Sequence, residues 1–184
     1  MRTTNFQRVL VMCLIILSTS APGSWAAACD STVLPAQIKT ALQTEFESVG
    51  WKIVTPELLT SPDDRKIWDE NYSRECPGII SGHFTGEKVG YAINLVKGAE
   101  KGLEQQIVFF APTREGFRKL ILSPPMHVAT VSVLRKFAPG TYRSPDSGHS
   151  VKVGFDTIGL SVIEGETIVY YWDGKGFQRI ETSV

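Results

Sequence analysis

Between Pro35 and Val49 the apolar positions are Ile38, Leu42, Phe46 and Val49, three or four residues apart. That spacing lays them along one face of a helix. Pro35 suits a first helical turn and Gly50 suits a stop. A second, shorter helix is expected from Ser61: Ser61-Pro62-Asp63-Asp64 combines a cap, an early proline and acids at the positive end of the dipole. It would carry Ile67 and Trp68. From Cys76 onward the pattern changes to strands. Tyr91–Val96, Gln106–Ala111, Phe117–Leu122 and Val128–Leu134 read as strands, then Val151–Phe155, Gly159–Ile163, Thr167–Trp172 and Phe177–Glu181. Pro112 to Gly116 marks a hairpin, as do Glu164-Gly165 and Asp173-Gly174. The predicted fold class is α+β: an N-terminal helix packed on a mainly antiparallel sheet or meander.

The first 28 residues break this pattern. Arg2 and Arg8 precede the apolar run Val9–Leu17, and small residues follow up to Ala26-Ala27-Ala28. A basic start, a short apolar centre and a small-residue end, in that order, predict a secretory signal peptide over 1–28. The run is shorter than the ~20 residues a helix needs to span a bilayer. No later segment is long and apolar enough to do so, so no membrane span is expected. With no linker or low-complexity tract after it, 29–184 reads as a single exported domain, periplasmic or secreted.

Composition narrows the range of functions. The chain has 184 residues, 42% apolar and 21% charged, with nineteen basic and nineteen acidic residues. That is enough for one real core and excludes a disordered or collagen-like chain. Loss of the leader removes two basic residues and no acid, leaving a net charge of −2. Such a chain has little electrostatic drive toward nucleic acid, so no nucleic-acid partner is expected. Arg114, Arg118 and Lys119, and the pair Arg135-Lys136, read as solvated edges that discourage strand-to-strand aggregation.

Cys13 leaves with the leader, while Cys29 and Cys76 stay. An oxidising compartment favours a disulfide between them. By the chain-entropy model, a loop of 47 residues would stabilise the fold by about 4 kcal/mol. The rival reading makes Cys29 a lipid-modified first residue, since Ala26-Ala27-Ala28-Cys29 resembles a lipoprotein processing box. Ala26 stands where that box usually has a bulky aliphatic residue, which favours the disulfide.

The segment Cys76-Pro77-Gly78-Ile79-Ile80-Ser81-Gly82-His83-Phe84-Thr85-Gly86-Glu87-Lys88-Val89-Gly90-Tyr91-Ala92 resembles a stretch of small, uncharacterised bacterial secreted proteins. In these, CPG is followed by an Asp-rich loop similar to the FG-GAP or VCBS type and then by a Tyr-Ala strand. Ala138-Pro139-Gly140-Thr141-Tyr142 and the terminal Tyr171-Trp172-Asp173-Gly174-Lys175-Gly176-Phe177 are similar to later parts of the same group. The resemblance implies a small exported domain and brings no activity with it. The loop departs from the Ca²⁺-holding pattern. It offers His83, Thr85 and Glu87, and Gly90 stands where an Asp is expected. One carboxylate cannot supply the oxygen ligands of a hard cation, so no metal and no cofactor are expected.

Catalytic motifs are sparse. Asp146-Ser147-Gly148-His149-Ser150 holds the letters of a triad, but triad members normally meet from separate elements; a Gly-flanked turn between strands explains these residues with far less. Asp63-Asp64 and Asp69-Glu70 are adjacent pairs rather than carboxylates facing across a cleft. There is no phosphate loop and no dinucleotide fingerprint. The aromatics give a better lead. Tyr170, Tyr171 and Trp172 alternate along a strand, so Tyr170 and Trp172 share a face and Tyr171 takes the other. Unless the helix, Trp51 or Trp68 covers it, one of these faces is an exposed aromatic surface, and Tyr171 and Trp172 are its candidate residues. The leading expectation is a non-catalytic exported domain that binds a protein or envelope component through a sheet face or edge. The alternative is a small periplasmic hydrolase using His149 or His83 with a distant acid.

Overall fold

The computed structural model describes residues 29–30 and 33–182, apart from 60, 73, 101 and 164. The expected leader, 1–28, lies outside the described residues. The architecture is α+β with mostly antiparallel sheets.

Residues 36–49 are helical but change pitch. Helix α1 (Ala36–Ala41) leads into a π turn, Leu42–Phe46, and then a 3-10 turn, Glu47–Val49, that ends at Gly50. The hydroxyls of Thr40, Thr44 and Ser48 each donate back to the carbonyl four residues earlier, a bonding pattern that loosens a helix. Ile38, Leu42 and Phe46 are buried, as their spacing predicts, whereas Val49 is 60% exposed. The widened turn carries Val49 around the axis and off the apolar face. Helix α2 (Pro62–Tyr72) starts where Ser61 Oγ accepts the Asp64 N–H at 3.3 Å. It buries Trp68 completely against Leu59 and Val133.

The first sheet contains β1 (Lys52–Ile53), β2 (Ile79–Gly82), β3 (Gly90–Ala99), β4 (Gly102–Pro112) and β5 (Phe117–Val128). Its order is β1-β3-β4-β5, with β2 also paired to β3. The second sheet contains β6 (Val133–Phe137), β9 (Thr157–Ser161), β10 (Thr167–Trp172) and β11 (Phe177–Thr182), in the order β11-β10-β9-β6. Strands β7 (Gly140–Arg143) and β8 (Ser150–Val153) form a separate hairpin.

The first sheet is covered on both faces. Ile93, Leu95, Val108 and Phe110 pack under Ile38, Leu42, Phe46 and Trp51. The alternate residues Ala92, Ile107, Phe109 and Ala111 pack against Leu134, Ile158, Leu160 and Tyr170 of the second sheet. Burial on both sides explains why β4 reads as an unbroken apolar run rather than an alternation.

Three of the expected strands are corrected. Val128–Leu134 is not one strand: β5 continues to Val128, and β6 begins at Val133. Ser132 between them is held by a buried amide network. Asn94 Nδ2 and Gln105 Nε2 both donate to the Ser132 carbonyl at 2.8 Å, and the Ser132 N–H donates to Gln105 Oε1 at 3.1 Å. The strand expected at Val151–Phe155 runs from Ser150 to Val153, and the one expected at Gly159–Ile163 runs from Thr157 to Ser161.

Cys76-Pro77-Gly78 acts as a hub. The Gly78 carbonyl accepts the Asn94 N–H at 2.8 Å, and the Pro77 carbonyl accepts the Leu134 N–H at 2.8 Å. A Cβ at Gly78 would lie 2.2 Å from the Val54 carbonyl oxygen, so this approach needs glycine. Cys29 and Cys76 lie at disulfide distance, with Cα atoms 4.8 Å apart, inside the roughly 4.4–6.8 Å that a bridge allows. Among the described residues no helix is long and apolar enough to cross a membrane.

Candidate binding groove

A groove of about 340 Å³ runs between β5 on one side and the β10–β11 hairpin on the other. Its β5 wall is Arg118 and Leu120 to Leu122; its hairpin wall includes Trp172, Lys175, Phe177 and Arg179, with Tyr170 behind them. Both walls are strands at the end of a sheet: β5 pairs only with β4, and β11 only with β10, among the described residues.

The aromatic wall is anchored in the core. Trp172 meets Phe177 edge to face at 5.4 Å between centroids, and Phe177 meets Phe109 at 4.9 Å. Phe109 in turn meets Phe84 at 5.7 Å. This chain of rings runs from the half-buried Trp172 to the fully buried Phe84. Packing against this chain of rings restrains the indole. Tyr170 closes the base. Burial pushes its phenol above the ordinary tyrosine range, opposed by a hydrogen bond with Ser123 and the charge of Arg179. It therefore stays neutral at physiological pH.

The hairpin tip is built by Asp173. Its Oδ1 accepts the N–H groups of Lys175 at 2.8 Å and Gly176 at 2.9 Å, and its Oδ2 accepts Gln178 Nε2 at 3.1 Å. These bonds, led by that from Gly176, hold the carboxyl below the usual aspartate range. Lys175, Arg118 and Arg179 are exposed, and none of them forms an ion pair among the described residues. Lys175 feels the Asp173 charge, but that carboxylate is already occupied by the three donors of its own turn. The groove lining contains three cations and no acid.

The sequence candidates separate here. Trp172 lines the groove, whereas Tyr171, half-buried, lies on the opposite face of β10 and does not. Trp51 and Trp68 belong to the helix-side core and to the α2 cluster, so neither covers Trp172. The basic residues read as solvated edges also divide. Lys119 pairs with Glu45 and lies over the Phe46 ring. Arg135 stacks on Tyr72 at 4.9 Å and Phe137 at 5.2 Å. Arg118 faces the groove. Leu120, Leu122, Phe177 and Arg179 were not apparent as site residues in the sequence, because only the packing of the two sheets brings them beside Trp172.

His83 and His149 are both exposed. The His83 main-chain N–H donates to Asp156 Oδ2 at 2.9 Å, so this carboxylate engages the backbone of the loop. In the 144–149 turn, Ser147 Oγ accepts the His149 main-chain N–H at 3.3 Å, and the Ser144 N–H bonds the His149 carbonyl at 2.9 Å. Both residues are therefore used by their turns through the main chain, and neither lines the groove. In the Gly82–Gly90 loop, Phe84 is fully buried, and a Cβ at Gly90 would lie 2.5 Å from the Phe109 ring. That contact is a physical reason for glycine at the position where the resembling loops carry Asp. Among the described residues no group of three or more His, Cys, Asp or Glu is placed to hold a metal ion.

Comparison with known proteins finds no matching family model, no matching curated protein and no matching solved structure.

Proposed function

We propose that the chain is exported, loses residues 1–28, and works without catalysis by binding a protein or envelope component in the groove between β5 and the β10–β11 hairpin. The observation that carries this reading is the half-buried Trp172, fixed by Phe177 and surrounded by three cations without ion-pair partners. A rigid aromatic anchor beside arginine is the composition that dominates binding energy at protein interfaces. The Cys29–Cys76 pairing supports the exported reading on chemical grounds. A sulfur engaged in a bridge cannot also carry a diacylglycerol thioether, so the disulfide and the lipoprotein readings exclude each other.

The experiment is affinity capture from envelope extract with the mature domain as bait, alongside its Trp172→Ala and Tyr171→Ala variants. A specific partner retained by wild type and Tyr171→Ala, and lost by Trp172→Ala, is the expected result. Equal capture by all three moves the binding surface elsewhere. Mass measurement of the exported protein provides a separate check: an intact disulfide and an unmodified Cys29 are expected, and a diacylglycerol adduct would refute the bridged form.

A further inference from the structure

The groove reading identifies a place and leaves the occupant open. The edge of β5 narrows the choice. At its start, the Gln37 side chain imitates a neighbouring strand: Gln37 Oε1 accepts the Phe117 N–H at 3.0 Å, and Gln37 Nε2 donates to the Phe117 carbonyl at 3.4 Å. Toward its other end stand Pro124 and Pro125, which have no N–H to offer. Both devices block strand addition, and both are ways in which proteins protect sheet edges. Between them, Arg118 to Ile121 keeps regular antiparallel register with β4, from Ala111 opposite Arg118 to Val108 opposite Ile121, and the register shifts only beyond it, at Leu122. In an antiparallel strand, alternate residues turn both main-chain groups to the same side. With Phe117 turned toward Gln37, Lys119 and Ile121 present their N–H and C=O groups to the same open side.

The side chains along this window alternate as well. Leu120 and Leu122 pack toward the second sheet, with Arg118 on their side; Phe117 and Lys119 face the helix layer, with Ile121 on theirs. Ile121 is 48% exposed. We infer that the groove takes an extended acidic segment of another protein as an added strand on β5. Its alternate carboxylates would face Arg118, Lys175 and Arg179, and its intervening apolar residues would cover Ile121. This rests on the groove reading above and adds the chemistry of the occupant. A second copy of the same chain is disfavoured, because pairing two β5 edges would bring like charges together in a lining that has no acid.

The test uses the mature, oxidised domain and three synthetic peptides of about eight residues. One alternates Glu and Val, one alternates Lys and Val, and one is the Glu/Val peptide N-methylated at every second amide. Binding is followed by the amide signals of Lys119 and Ile121 and by the Trp172 indole signal. The Glu/Val peptide is expected to bind saturably, shift all three signals and slow hydrogen exchange at Lys119 and Ile121. Its affinity is expected to fall with added salt. The Lys/Val and N-methylated peptides are expected to bind at least about tenfold more weakly, as loss of a charge-assisted contact or a main-chain bond implies. An Arg118→Glu, Arg179→Glu double variant, which changes only exposed side chains, is expected to lose the preference for the acidic peptide.

Equal binding of the N-methylated peptide, with the indole still shifted, would overturn strand addition and leave the groove reading standing. Absence of any shift at Trp172 with every peptide, together with a captured partner insensitive to Trp172→Ala, would remove the groove reading as well. Self-association that protects Lys119 and Ile121 in the absence of peptide would overturn the heterologous assignment.

Discussion

At the scale of single residues, two positions carry sharp expectations. Gly90 has the Phe109 ring where a side chain would begin. Gly90→Ala is therefore expected to destabilise the fold by about 1–3 kcal/mol through overpacking, read as a lower denaturant midpoint with an unchanged slope. Asp173 provides a pH test. Its carboxyl is held below an ordinary value of about 3.9 by amide donors in the folded state. A lowered folded value means the carboxylate contributes stability above the unfolded value. That contribution is lost as pH falls through the folded value. The stability difference between wild type and Asp173→Asn is thus expected to be constant from pH 7 to pH 5 and to shrink as the pH drops below about 4. A difference that grows on acidification would contradict the turn geometry.

At the scale of elements, the buried amides connect the sheets. Asn94 and Gln105 are fully buried on β3 and β4 and reach across to Ser132, which leads into β6. Gln105→Leu leaves the Ser132 N–H and a carbonyl bond unmet. Each unsatisfied buried group costs about 1–3 kcal/mol, so a loss of that order in chemical denaturation is expected, with a smaller loss for Gln105→Glu at low pH. This network also shows what the sequence could and could not reveal. Ile38, Leu42 and Phe46 were legible because a helix face repeats locally. Val49 was misplaced because a π turn leaves no periodic signature. The 128–134 segment was misread as one strand for a different reason. Strand β5 extends past Pro124 and Pro125 to Val128 by shifting its register against β4 between Val108 and Gln105, an irregularity that spacing along the chain does not show. Groove residues such as Leu120 and Arg179 lie far apart in sequence and meet only through sheet-on-sheet packing, which spacing alone does not encode.

At the scale of the whole molecule, three layers and one bridge fix the groove. The helix layer holds the first sheet from one side, and the second sheet holds it from the other. The Cys29–Cys76 pair ties the chain ahead of α1 to the hub at Gly78. Reduction is expected to cost up to about 4 kcal/mol, the chain-entropy value for its 47-residue separation, measured as a lower midpoint in denaturant. Because the hub also receives the bond that starts β6, weaker partner binding is expected to accompany reduction.

The most direct measurement is calorimetric titration of the purified captured partner against three folded proteins: wild type, Trp172→Ala and Tyr171→Ala. The account predicts about a 30-fold loss of affinity for Trp172→Ala, the scale of a central aromatic anchor, and no change for Tyr171→Ala. Equal affinity for all three, or a loss confined to Tyr171→Ala, would contradict it.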